Sequence, residues 1–193
     1  MKVSREEAAR NRDRVIATAV RRYKEAGFDG IGVADLMKEA GLTHGAFYGQ
    51  FDSKDDLMSE AVARAAQDTI KTWERLGAKH PGAEFAAIAR NYLSAGHRDE
   101  PGGEGCCMTS TLGAESVRQS APVRQAFGAG LRSMLNALSG FMPGNSAKAK
   151  QDRAILTFST MLGALVMARA TPDKLLSDRI LAVARDGIDT SAG

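Results

Sequence analysis

Cysteine is nearly absent from this chain of 193 residues, and the two that occur, Cys106 and Cys107, are neighbours. Adjacent cysteines would close a strained ring, so a disulfide framework is excluded, and their spacing fits no zinc site. No metal ligand set and no cofactor motif is read elsewhere. Aromatic residues make up 6% of the chain and alternating β-branched runs do not occur, which removes the strand signal. No apolar run of membrane-spanning length is read, and no apolar core follows the charges at the amino terminus. These absences lead to the expectation of a reduced, cytoplasmic protein without a membrane partner. A strong charge of one sign is also lacking. With 26 basic and 23 acidic residues the net charge is +3, too little to argue for a nucleic-acid partner by itself.

What is present is helical periodicity. Val15, Ile16, Ala19, Val20 and Tyr23 form one stripe, which predicts a helix from about Arg5 to Ala26 closed by Gly27. Ser53 reads as the N-cap of a long helix that has Asp55 and Asp56 in its first turn. Its stripe of Leu57, Met58, Ala61, Val62 and Ala65 runs towards Trp73. Phe85, Ile88, Ala89, Tyr92 and Leu93 mark the next helix. The segment from His97 to Gly105, with Pro101, Gly102 and Gly103, reads as a mobile loop. Further helices are expected from about Cys106 to Gln119, from Ser120-Ala121-Pro122 to Leu138, from Ala147 to Ala170, and from Pro172, capped by Thr171, to Ile188.

The most informative segment lies between the first and the long helix. Val33, Leu36, Met37 and Ala40 recur at helical spacing, and Gly41 is the residue type that ends a helix in a left-handed turn. Leu42 then packs inward, Thr43 is a natural N-cap, and a second short helix with few apolar residues follows. Two short helices joined through a glycine turn form a helix-turn-helix, whose second helix enters the major groove of duplex DNA. Thr43, Gly45 and Ala46 are small enough to let the backbone approach DNA closely. His44 and Gln50 can meet base edges or phosphates, and Lys54 stands at the start of the next helix. Upstream, basic residues from Lys2 to Lys24 outnumber acidic ones, as a phosphate-contacting arm would.

From Arg14 to Leu57 the chain resembles the DNA-binding domain of the tetracycline-repressor (TetR/AcrR) family. The matching residues include Tyr23, Gly27, Phe28, Ala40, Gly41, Leu42, Gly45, Phe47, Tyr48, Phe51 and Lys54. One departure is Ile31-Gly32, where the family usually has Thr or Ser before the first motif helix; Gly32 offers no hydroxyl to a phosphate. The resemblance implies an all-α fold of about nine helices. An N-terminal three-helix helix-turn-helix domain would cover residues 1–51, and an effector-binding and dimerisation domain residues 52–193. It also implies a phosphate contact by Tyr48.

In the body, the last two helices are apolar on more than one side, and a helix apolar all round must be buried all round. A second subunit is the economical cover, with Leu165 expected where the two copies meet. The family forms its homodimer through these helices, which places two reading heads on a palindromic operator. The resemblance implies a cavity for a small-molecule effector, lined by Trp73, Tyr92, Met108, Leu112, Phe127, Phe158 and Met161, with Cys106 beside it. Arg90, His97, Arg98 and Glu115 are unranked candidates for the effector's polar handle. Cys106 and Cys107, read at a helix start beside a loop, could be reactive, because a helix dipole stabilises a thiolate. Gly105-Cys106 also resembles a segment of family members that sense electrophiles or oxidants. The reading is a regulator, a repressor released by a small molecule or a thiol-reactive electrophile, and not an enzyme. The alternatives are a helical enzyme using Cys106 or Cys107 with His97 or His80, and a helical adaptor that no longer reads DNA.

Overall fold

The computed structural model describes residues 4–103 and 106–190, and its elements are those the periodicities require. Lys2 of the basic arm and Gly105 of the Gly-Cys pair lie outside the described residues. Nine α-helices and one 3₁₀ turn are found among the described residues, without a strand. They are α1 (Arg5–Ala26), α2 (Val33–Glu39), the 3₁₀ turn (His44–Ala46), α3 (Lys54–Lys79), α4 (Glu84–Tyr92), α5 (Ala95–Asp99), α6 (Thr109–Ser116), α7 (Ala121–Ser139), α8 (Ala147–Ala170) and α9 (Lys174–Thr190).

Local chemistry sets the ends. Ser4, Ser53 and Ser146 each accept a hydrogen bond from the backbone three residues on, satisfying a free N–H at the starts of α1, α3 and α8. Gly27 and Gly41 close α1 and α2 with φ of 82° and 72°, a region a side chain would strain. The cap of α9 is Asp173, whose Oδ1 accepts from the N–H groups of Leu175 and Leu176. Thr171, expected in that role, instead terminates α8.

Two apolar clusters hold the chain together. One joins α1, α2 and the first half of α3 to Met108, Leu112, Val123 and Phe127 of the body, so the head's core runs past residue 51. The other fills the body between α3, α4, α7, α8 and α9. Leu165 is fully buried in this second cluster and faces its own subunit's core, not a partner. The outward face of α8 carries Ile155, Leu156, Val166 and Met167, and that of α9 carries Leu175, Leu176 and Val183, all exposed. Helix α8 is long and apolar enough to cross a membrane by length and composition only, as core helices also can be. An 18-residue stretch of it has a mean hydropathy of 1.2, and 39% of that stretch is buried inside the chain.

Three boundaries differ from expectation. His97 and Arg98 belong to a real helical turn, because Ser94 caps α5 through the His97 N–H. Helix α6 begins at Thr109, not Cys106. The second motif helix is a single 3₁₀ turn at His44–Ala46, with Thr43 extended before it and making no side-chain cap. Gly45 and Gly49 lower its helical propensity, and only Phe47 and Phe51 anchor the segment.

Candidate nucleic-acid interface and effector region

The segment from Thr43 to Gln50 is held from beneath. Phe47 and Phe51 are buried and stacked with centroids 5.4 Å apart, and the Arg12 guanidinium lies 4.7 Å over the Phe51 ring. Arg12 also donates through Nε to the Gln50 carbonyl at 3.3 Å and grips Glu60 of α3 with both terminal nitrogens. This brace pins the exit of the turn to α1 and α3. Above it, Thr43, His44 and Gly45 are exposed and Ala46 is half-buried. Tyr48 is 70% exposed, with its ring edge-on to His44 and Phe47. A Cβ added at Gly45 would meet nothing within 4 Å, so the fold does not require glycine there. Gln50 differs from the other candidates. It is half-buried, and its Oε1 is buried without a hydrogen-bond partner.

Lys54 begins α3 and pairs with Asp29 at 3.5 Å. Asp29 is 86% exposed in its side chain, so this pair is a weak competitor for the lysine. The basic arm is less available than its composition implied. Arg12 pairs with Glu60, and Arg21 and Arg22 pair with Glu25 and Glu39. Lys24 is buried and donates to the carbonyls of Gly103 and Cys106 at 3.1 and 3.2 Å.

The body residues read as cavity lining separate into two packed groups. Trp73, Tyr92, Phe158 and Met161 sit in the body cluster, where Phe158 meets Trp73 and Tyr92 edge-on at 5.9 Å each. The Tyr92 hydroxyl is buried without a partner. Met108, Leu112 and Phe127 sit in the head-side cluster, and Met108 and Leu112 border a gap of only about 10 Å³. Cys106 borders larger openings, grooves of about 520 and 190 Å³.

The polar candidates are mostly engaged in architecture. His97 donates through Nδ1 to the Tyr92 carbonyl at 2.7 Å and accepts at Nε2 from the Cys107 N–H at 3.1 Å. Burial pushes its pKa down to about 4, so the ring is neutral. Both nitrogens hold backbone, which leaves no lone pair to act as a base towards either thiol. Arg98 is buried against Asp99, Asp178 and Ser177. Glu115 accepts from the Phe28 N–H at 3.0 Å, fastening α6 to the end of α1. Arg90 is exposed.

The thiols do not stand at a helix start, and both are buried. Burial pushes the Cys107 thiol up, the opposite of activation. Cys106 has the Arg169 Nη2 3.4 Å from its sulfur. Arg169 was not singled out from the sequence, yet it also bonds the carbonyls of His97 and Arg98 and the Ser110 hydroxyl. Its partners lie 59 to 72 residues away, a separation that no local motif records. Among the described residues no group of His, Cys, Asp and Glu could hold a metal ion.

Comparison with known proteins places this geometry. The chain is 29% identical over 85 residues to the HTH-type transcriptional regulator AcrR of Shigella flexneri. That match spans 44% of this chain and 40% of the relative's length. Among solved structures, the reduced form of E. coli NemR superposes with a TM-score of 0.76 at 22% identity, over 94% of this chain and 96% of that one. A TetR-family transcriptional regulator from Streptomyces coelicolor gives 0.74 at 21% identity, over 95% and 96%. A TetR transcriptional regulator from Chloroflexus aurantiacus gives 0.72 at 23%, over 96% and 95%. At these identities the structures establish a shared fold. The model of bacterial regulatory proteins of the tetR family matches residues 15–61, the stretch from the α1 core through the braced turn into α3. Through that head, the chain is similar to the tetR family of bacterial regulatory proteins.

Proposed function

We propose that this protein is a homodimeric, effector-responsive transcriptional regulator that represses by occupying a palindromic operator. The observation that carries the reading is the braced turn. It turns Thr43, His44, Gly45 and Tyr48 outward over a buried Phe47–Phe51 pair, within the segment that the tetR-family model matches. An exposed polar edge that its own fold does not cover is how a major-groove reader is built. Thr43, His44 and Ala46 meet base edges, Gly45 permits close approach, and Tyr48 and Lys54 contact phosphates. Gln50 joins them only after its side chain swings out of its half-buried position.

The exposed apolar stripes of α8 and α9 supply the dimer surface, which brings two such turns to two half-sites. The effector is a small molecule, or an electrophile reaching Cys106 from the grooves beside it. It relieves repression by binding the conformer with misplaced heads more tightly than the DNA-competent one.

Selection from a random duplex pool with purified protein tests the reading. The expected result is enrichment of a two-fold symmetric sequence, bound by two chains in light scattering. Recovery of no sequence above background would overturn it.

A further inference from the structure

The groove of about 520 Å³ lies where α1, α3 and the loop ending at Cys106 meet, and its charge is lopsided. Five cationic side chains line it against one carboxylate, that of Asp68. Two of the five are already neutralised. Arg21 pairs with Glu25 and Glu39, and Arg64 with Asp13 and Asp68. The other three, Lys24, Lys71 and Arg75, have no ion pair among the described residues.

Lys24 is the telling one. It is 8% exposed, and its ammonium has three N–H donors but only two acceptors among the described residues, both backbone carbonyls. A cation taken out of water is costly unless it is paired, and carbonyl dipoles are a partial substitute for a counter-charge. Desolvation accordingly pulls the Lys24 pKa below its ordinary value. Lys71 and Arg75 lie four residues apart on one face of α3, and like charges at that spacing repel. Val20 and Ala17 of α1 give the groove an apolar wall.

The location argues against DNA as the source of the missing negative charge. Arg64 and Arg75 stand about 15 and 32 Å along α3 from Lys54, the phosphate contact at its start. The groove therefore belongs to the body end of the molecule. Its volume lies within the range of small-molecule sites, roughly 300–1,000 Å³.

We infer that this groove is a binding site for an organic anion, a carboxylate or phosphate on an apolar body, whose charge is received by Lys24, Lys71 and Arg75. It rests on the regulator reading only for its consequence: occupancy would tie the head's first helix to the body. Its chemistry stands independently.

Calorimetric titration of the full-length protein with octanoate, and with octanol as the uncharged control, tests the inference. One equivalent of octanoate per chain is expected, with octanol about tenfold weaker or worse, the size of one charge-assisted contact. The double variant Lys71→Gln/Arg75→Gln, at exposed positions, should weaken octanoate by about tenfold or more for the same reason. Lys24→Met should do so too, and octanol binding should not change in either variant. Equal affinity for octanol and octanoate, or a double variant indistinguishable from wild type, would overturn the inference. Duplex binding measured on the same sample separates the two readings. Duplex bound without octanoate removes the groove proposal alone, whereas charge-dependent octanoate binding without any duplex removes the regulator reading alone.

Discussion

The 43–50 turn and the 97–110 region use polar side chains in opposite ways. In the turn, Thr43, His44 and Tyr48 point away from the protein, and Gly45 has open space where a side chain would stand. In the body, His97, Arg98, Ser110 and Arg169 are half-buried or buried, and their polar atoms are occupied by one another, by backbone or, for Arg98, by Asp99, Ser177 and Asp178. The perturbed titration of His97 belongs to the second region and marks architecture. The exposed turn carries the proposed interface. On the proposed reading, the shifted pKa of His97 accompanies architecture, and open space accompanies the interface.

The comparison can be broken most severely from inside the body. Leu165→Glu should cost about 4 kcal/mol or more, because an unpaired carboxylate would enter a filled core, and urea denaturation would show it. Its exposed neighbour offers the contrast. Val166→Glu should leave the denaturation of the monomer within about 0.5 kcal/mol of wild type yet abolish the dimer in light scattering. A Val166→Glu protein that remains dimeric would move the subunit contact off α8.

Acid probes the same region more gently. The folded state holds the His97 pKa at about 4, below the unfolded value, so between the two the unfolded chain binds a proton that the folded chain refuses. Stability from this residue is complete above about pH 6.5 and declines by up to about 3 kcal/mol as pH falls to 4. Urea midpoints from pH 7 to 4.5 should show the slope, and His97→Gln should flatten it. An unchanged slope in that variant would place the proton uptake elsewhere.

The head should respond in binding, not in stability. Gly45→Val introduces atoms into open space, so its thermal midpoint should match wild type, while operator affinity falls about 100-fold through lost approach of the backbone. If Gly45→Val bound normally, the turn would not lie against DNA. Lys54→Ala is the mildest change. It should weaken all duplexes alike by about tenfold and reduce the salt slope by about one.

How legible all this was depended on the range of the interaction responsible. The ends of α1 and α8 follow from caps and periodicity within one helix, and the observed boundaries agree with the sequence reading. The second motif helix was drawn too long, since its two phenylalanines give the right stripe while Gly45 and Gly49 withdraw the propensity to extend it. For α6 the start was misplaced by three residues, which removed the dipole argument for Cys106. The breadth of apolar residues on α8 led to the expectation of two buried faces; one is buried in the chain's own core and the other is exposed, and periodicity alone could not say which is which. Leu165 went to the wrong one. The basic groove was invisible because its cations come from α1 and α3, where each reads as an ordinary solvated helix face.

The exposed stripe on α8 and α9 has a consequence for dose. If the chain is monomeric at low concentration and only pairs occupy the operator, occupancy rises with the square of protein concentration until dimers predominate. Halving the amount of protein would then cut weak occupancy about fourfold by that mass action. A surface of seven exposed apolar side chains would in this way set how sharply the regulated promoter responds to the amount of its regulator.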